Sequence, residues 1–472
     1  MNIKRILNIL GITLLIEAAL MVLPLATAFI CGENPLPFLV SMACAAAAGF
    51  ALTRIKASSQ DFFARDGFVL VSLVWIIMSL IGALPFVISG DIPRYIDALF
   101  ETVSGFTTTG ATVVADVESM SRSCLFWRCF THWIGGQGVL VFIMAVLPMS
   151  GDHSMHIMRA EVPGPTVGKL VPRARETARI LYIIYTVLTL AETVMLMCGG
   201  LSFYDALLHA FGTAGTGGFS TRNASVGAFN STYVEMVIAV FLVIFATNFN
   251  IYYLLVIGKI KLAFKSEEYH VYLAIIAVAT AAIGIGVGFK DAFFNVATII
   301  STAGFGTVDF TKWPVYAQGI LVILMFIGAS AGSTGGGMKV SRVIIMFKDA
   351  FADLVRMATP RRVKKVTLDG KAVDSRVVST VQSFFVLFML LLFACTFIVS
   401  IDGYDFLTNF TASLACISNI GPGLSLVGPA GNYSIFSDIS KIALTFTMLA
   451  GRLELYPVFI LFSPSVWKSI RN

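Results

Sequence analysis

An all-α polytopic membrane protein is the fold class this chain predicts, and three observations carry that reading. Hydrophobic residues make up 57% of the 472 positions against 13% charged, and mean hydropathy is +0.85, more apolar surface than a soluble globular protein needs. Nearly charge-free stretches of about 18 residues or more recur, long enough at about 1.5 Å per residue to cross roughly 30 Å of hydrocarbon. Four times, a hydrophobic segment yields to a short Gly/Thr/Ser-rich stretch around a central glycine and then to another hydrophobic segment.

Hydropathy predicts ten transmembrane helices, near residues 6–30, 36–53, 66–89, 129–148, 180–200, 233–257, 268–289, 314–338, 377–400 and 442–462. The first begins like a signal peptide, with Lys4 and Arg5 before an apolar run. That run continues to Ile30 without a convincing small-residue cleavage site, so it reads as a helix. With both termini cytoplasmic, 25 of the 33 Lys and Arg fall inside and Arg452 falls within a span, as the positive-inside rule requires. The same bias, with anionic headgroups as its partner, accounts for the net charge of +6 without nucleic acid.

Cys31, Cys44, Cys124, Cys129, Cys198, Cys395 and Cys416 are odd in number and lack paired C-x-x-C spacing, so free thiols are expected. His153 and His156, beside Asp152, approach metal-ligand spacing but have no second cluster and read as a loop. His132 and His209 read as hydrogen-bonded packing residues. No nucleophile, base or metal cluster recurs in the spans, which argues against an intramembrane enzyme, and a membrane scaffold leaves the fourfold repeat unexplained.

After the third, fifth, seventh and ninth spans come segments too short to cross: Ile92 to Phe106, Phe203 to Ala214, Asp291 to Ile300 and Asp405 to Ile417. Asp97, Asp205, Asp291 and Asp405 lie at or near their starts, where a negative charge complements the helix dipole. These are predicted half-helices. The stretches that follow, Thr107 to Thr112, Gly215 to Ser220, Ser301 to Gly306 and Ser418 to Gly423, must reverse direction inside the membrane. Irregular backbone is tolerated there only against protein or a watery cavity. Carbonyls left without helical partners can replace the hydration shell of a potassium ion. Gly110, Gly218, Gly304 and Gly421 supply the backbone angles that such alignment needs.

These stretches, with Ser104 to Thr112, Trp133 to Gly138, Gly328 to Lys339 and Gly451 to Pro457, resemble the Trk/Ktr/HKT superfamily of potassium transporters, its bacterial Trk-type pore subunits above all. The likeness covers nearly the whole chain. It implies four repeats of helix, half-helix, filter and helix about a pseudo-fourfold pore, in residues 57–150, 151–262, 263–365 and 366–472, after two additional N-terminal helices in residues 1–56. It implies potassium as the transported ion, with no organic cofactor. The expected potassium-binding residues are Thr108, Thr109 and Gly110; Thr216, Gly217 and Gly218; Thr302, Ala303 and Gly304; and Asn419, Ile420 and Gly421. The fourth stretch departs most, through Asn419, Ile420 and Pro422. With one glycine common to all four, weaker discrimination among potassium, rubidium and sodium is expected than in a strict potassium channel.

Gly328, Gly332, Gly335, Gly336 and Gly337 interrupt the eighth span, and five glycines at about 1 kcal/mol each relative to Ala predict a break. A phosphate-binding loop is excluded, because Met338 stands where the Walker lysine belongs and no strand precedes it. The resemblance assigns Gly332, Ser333, Thr334, Gly335, Gly336 and Gly337 as a gate loop and puts Arg452 beside it, to repel cations or bond loop carbonyls. Glu454, two residues away, faces elsewhere on a helix and is no obvious partner for Arg452; an ion pair with another carboxylate is the structural alternative. Glu192, Asn248 and Asn250 either line a cytoplasmic vestibule or bond between helices. The resemblance further implies a homodimer in the bacterial inner membrane, seated through its basic inner loops (159–179 and 356–376) on a cytosolic TrkA-type nucleotide-binding subunit. A sodium-coupled Ktr-type transporter is the alternative function.

Overall fold

Proline and glycine decide where the long apolar runs of this chain bend. The computed structural model describes residues 1–55, 64–138, 174–359 and 365–464; His153, His156, the basic stretch 159–173 and the end of the expected fourth span lie outside them. Helices α1 (Ile3–Leu20) and α2 (Val22–Cys31) meet at Met21, because Pro24 has no N–H to return to Leu20. After α3 (Leu36–Thr53), Pro85 breaks the next run in the same way into α4 (Ala64–Gly82) and α5 (Leu84–Ser89). Helices α1 and α3 pack where two glycines meet: a Cβ on Gly11 would lie 2.7 Å from the Gly49 carbonyl oxygen. Small residues at such a crossing let backbones approach and maximise dispersion contact in a membrane.

The first short helix, α6 (Tyr95–Phe106), precedes α7 (Arg122–Gly136). Helix α8 (Ala174–Cys198) leads to the second, α9 (Phe203–Ala214), and then to α10 (Thr232–Phe245) and α11 (Phe249–Val256). After α12 (Ile260–Ala263), α13 (Glu267–Val287) leads to the third, α14 (Phe289–Ile300), followed by α15 (Val315–Ile327) and α16 (Val340–Ala358). A two-residue antiparallel pair, β1 (Thr367–Leu368) with β2 (Lys371–Ala372), precedes α17 (Ser375–Val399). The fourth short helix is α18 (Phe406–Ile417), followed by α19 (Asp438–Arg452) and α20 (Tyr456–Leu461).

Each short helix is 12 residues long, about 18 Å, well short of the roughly 30 Å needed to span. Their starts are polar for a reason. Ser202 and Asp405 cap α9 and α18 by accepting from Asp205 N and Thr408 N, while Asp97 and Asp291 occupy the first turns of α6 and α14. Hydrogen bonding from Thr408 holds the Asp405 carboxyl below its usual range. The C-terminal halves of these helices are buried in the one large apolar core.

Among the described residues six helical runs are long and apolar enough to cross a membrane, and α10 with α11 makes a seventh bent by 86°. The sixth expected span is thus bent, and three others meet the structure as follows. The fourth is described only to Gly138. The eighth keeps only α15 as an apolar helix, because its glycines end it, and α16 beyond carries Arg342, Lys348, Asp349 and Arg356. The tenth breaks after Arg452, where Glu454 and Leu455 take φ of 57° and 63° and Pro457 cannot bond back to Leu453. Arg452 thus sits at a helix C-terminus, where a cation complements the dipole. Arg128 and Lys441, counted outside by hydropathy, are buried within helices.

Candidate functional site

The four short helices end in the same way. Thr108, Thr216, Thr302 and Asn419 take left-handed φ of 54°, 53°, 64° and 55°, and their N–H groups donate three residues back, to Gly105, Thr213, Ile299 and Cys416. The next residue in each, Thr109, Gly217, Ala303 or Ile420, donates five residues back at 2.7 to 2.9 Å. That is a Schellman closure, which ordinarily uses glycine at the left-handed position. Three β-branched threonines held there cost about 1–3 kcal/mol each, a strain that hydrophobic packing alone gives no reason to repeat. Two residues on, Gly110, Gly218, Gly304 and Gly421 follow with φ of 77°, 82°, 78° and 93°.

The loops meet in a closed cycle. A Cβ on Gly110 would lie 2.0 Å from the Gly217 oxygen, one on Gly218 1.9 Å from Ala303 O, one on Gly304 2.0 Å from Ile420 O, and one on Gly421 2.6 Å from Thr109 O. Each glycine therefore receives the carbonyl of the residue before the next glycine, and the fourth returns to the first. All twelve residues expected at a potassium site lie in this ring. Side chains stitch its seam: Asn419 Nδ2 donates to Thr109 Oγ1 at 3.0 Å and to Met448 O at 2.9 Å, and Tyr433 Oη donates to Gly421 O at 2.7 Å. The buried oxygens Thr108 Oγ1, Ser418 Oγ and Asn419 Oδ1 accept nothing among the described residues.

His132 wedges the ring from behind. Its Nδ1 lies 2.7 Å from Gly105 O, its Nε2 accepts from Phe219 N at 3.2 Å, and its ring stacks on Phe219. His209 bonds Asp205 O and, through Nε2 at 2.8 Å, Ser220 Oγ. Both are packing residues.

Gly328 to Lys339 lies directly against this ring. Gly336 N donates to Thr302 Oγ1 at 2.6 Å, and a Cβ on Gly336 would sit 2.3 Å from Ser418 O, so only a glycine fits there. Arg452 Nη1 donates to Thr334 O at 2.7 Å, and Nη2 to Gly135 O and Gly136 O at 2.6 and 2.8 Å. The loop also docks in the bend between α10 and α11: Ser330 N reaches Ala246 O, Phe249 N reaches Gly332 O, and Thr334 Oγ1 reaches Phe245 O. Those bonds satisfy backbone groups that the bend frees. Asn248, which caps α11, faces Gly332; Glu192 is buried on α8. A cavity of about 50 Å³ opens below, lined by Trp75, Leu181, Phe249, Gly332, Arg452 and Glu454.

Sequence reasoning missed several residues here. Glu454, set aside only as a partner for Arg452, pairs with Arg342, whose Nη1 reaches Glu454 Oε1 at 3.2 Å and whose guanidinium covers Phe384. Glu268 Oε1 accepts from both Ala331 N and Ser341 N, at 2.7 and 3.0 Å, closing the Gly-rich loop at its base. Lys339 Nζ bonds Gly335 O. Among the described residues no group of three or more His, Cys, Asp or Glu could hold a metal ion, and all seven cysteines are free.

Apolar helices around a closed ring of backbone belong to an integral membrane transport protein, and the chain is a member of the TrkH family of cation transport proteins: the profile so described matches residues 37–277 and 277–469. It is 34% identical to the Trk system potassium uptake protein TrkH of Salmonella typhimurium, over 99% of this chain and 100% of that protein. It is 38% identical to TrkG of Escherichia coli K12, over 88% of each. The crystal structure of the potassium transporter TrkH from Vibrio parahaemolyticus superimposes with a TM-score of 0.88 at 32% identity, covering 99% of this chain and 100% of that one. The chain is a transporter, not an enzyme.

Proposed function

We propose that this protein takes up potassium across the bacterial inner membrane, through the ring formed at Thr108 to Gly110, Thr216 to Gly218, Thr302 to Gly304 and Asn419 to Gly421. The observation that carries the reading is the cyclic contact of each ring glycine with the carbonyl preceding the next one. Main-chain oxygens so gathered replace the hydration shell of a monovalent cation, and four half-helix C-termini direct their negative ends toward the same place. The names of the relatives, potassium uptake proteins over nearly the full length, support potassium as the cargo.

On this reading the chain crosses the membrane ten times with both termini cytoplasmic, as two N-terminal helices followed by four repeats about a pseudo-fourfold axis. The Gly-rich loop is the gate. It lies across the inner side of the ring, held by Thr302 and Arg452, and its displacement opens the path. A homodimer resting on a cytosolic TrkA-type nucleotide-binding subunit completes the assembly, with the basic inner segments as the docking surface.

The test is growth of a potassium-uptake-deficient bacterium at low external potassium, together with rubidium uptake by the purified protein in liposomes. Rescue of growth and potential-driven rubidium entry are expected. A well-folded protein that does neither would overturn the reading.

A further inference from the structure

The position nine residues before each ring glycine holds Glu101, His209, Asn295 and Ala412, and the position two residues after holds Thr112, Ser220, Gly306 and Gly423. In the first two repeats these positions bond to each other. Glu101 Oε1 accepts from Thr112 Oγ1 at 2.9 Å, and His209 Nε2 lies 2.8 Å from Ser220 Oγ. In the other two repeats glycine after the ring leaves no side chain to hold.

The first repeat carries a further charge. Arg128 Nε donates to Glu101 Oε1 at 2.6 Å, with side-chain exposures of 3% and 0%. The other Glu101 oxygen accepts from Val113 N at 2.9 Å. Arg128 Nη1 continues to Ser220 O at 3.2 Å, and its guanidinium lies 3.5 Å from the centroid of the Phe219 ring. Thr112 and Val113 leave the first ring segment, and Phe219 and Ser220 leave the second. One buried ion pair therefore ties the two exits together, through a planar cation that both bonds and stacks.

We infer that Glu101 and Arg128 are positioning residues for ion discrimination, fixing the first and second ring segments relative to each other. The third and fourth segments lack an equivalent pair at these positions. The inference rests on the ring being the potassium path. A dehydrated cation is distinguished by how little its ligands yield to a smaller ion. Rigidity supplied to half the ring makes that half set the preference. Glu101 also neutralises Arg128, whose charge would otherwise stand unbalanced behind the path.

Two variants test this in liposomes, by rubidium uptake and by the sodium-to-potassium permeability ratio from reversal potentials. Glu101→Gln keeps the shape and removes the ion pair; Glu101→Gln with Arg128→Met removes both charges, so it avoids leaving a buried charge unpaired and protects against misfolding. In both, rubidium uptake is expected to persist while the sodium-to-potassium ratio rises by roughly tenfold, equivalent to about 1.4 kcal/mol of lost discrimination. An unchanged ratio in the folded double variant would overturn the inference. So would loss of all uptake from monodisperse protein in both variants, since that marks a general scaffold. Failure of the unmodified protein to pass rubidium is a different result and sinks the ring reading itself.

Discussion

The Gly336 amide and the Thr302 hydroxyl stand 2.6 Å apart and join the Gly-rich loop to the ring. Thr302 has its φ in the left-handed region, so one residue both shapes the ring and holds the loop against it. Thr302→Val removes the acceptor and strands a buried N–H, at a cost of about 1–3 kcal/mol. Gly336→Pro removes the donor and adds atoms where Ser418 O lies 2.3 Å from a Cβ. Gly336→Pro is expected to alter rubidium flux in liposomes while leaving the sodium-to-potassium ratio in place, whereas Thr302→Val, at a residue of the ring itself, is expected to change both. For Gly336→Pro, a shift in the ratio without a change in flux would contradict the proposed gate.

Arg452 secures the other side of the loop through Thr334 O, with α7 as its anchor. Arg452→Ala is expected to raise basal flux, because it removes both the tether and a positive charge below the ring. Flux unchanged in a folded variant would assign the arginine to scaffolding alone.

Gly304 and Gly319 give a paired control. Alanine at Gly304 would need φ of 78° and a Cβ 2.0 Å from Ile420 O, whereas Gly319 has nothing within 4 Å. Gly304→Ala should abolish growth rescue at low potassium. Gly319→Ala should preserve it and stabilise α15 by up to about 1 kcal/mol. Equal rescue by the two would mean the ring tolerates a side chain.

Gly11→Leu should disrupt the crossing of α1 and α3, where a Cβ already lies 2.7 Å from Gly49 O. The expected outcome is a lower thermal midpoint and reduced membrane yield, with the ion ratio of the surviving protein unchanged. A changed ratio would connect the N-terminal hairpin to the ring.

Much of the architecture was legible because it rests on composition and short-range rules. Asp97, Asp205, Asp291 and Asp405 marked the half-helix starts to within a few residues, and the glycines of 328–337 foretold the break after Ile327. The breaks at Met21 and after Arg452 were readable in principle from Pro24 and Pro457, but hydropathy averages over such kinks. The left-handed threonines were not readable. Local preference argues against β-branched residues there, and only the closing of four chain segments on one another overrides it. Glu101 with Arg128 and Arg342 with Glu454 join residues 27 and 112 positions apart, and a window that started the fourth span at residue 129 put Arg128 on the wrong side of its boundary.

Because a single polypeptide supplies all four quadrants of the ring, no two of its joints are chemically alike: Gly217, Ala303, Ile420 and Thr109 each back a different glycine. In an assembly of identical subunits, one codon change strikes every quadrant together. Here it strikes one, so, with the ring as the proposed ion path, natural variation can adjust the preference for an ion in small increments, and an engineer can do the same without rebuilding the whole passage.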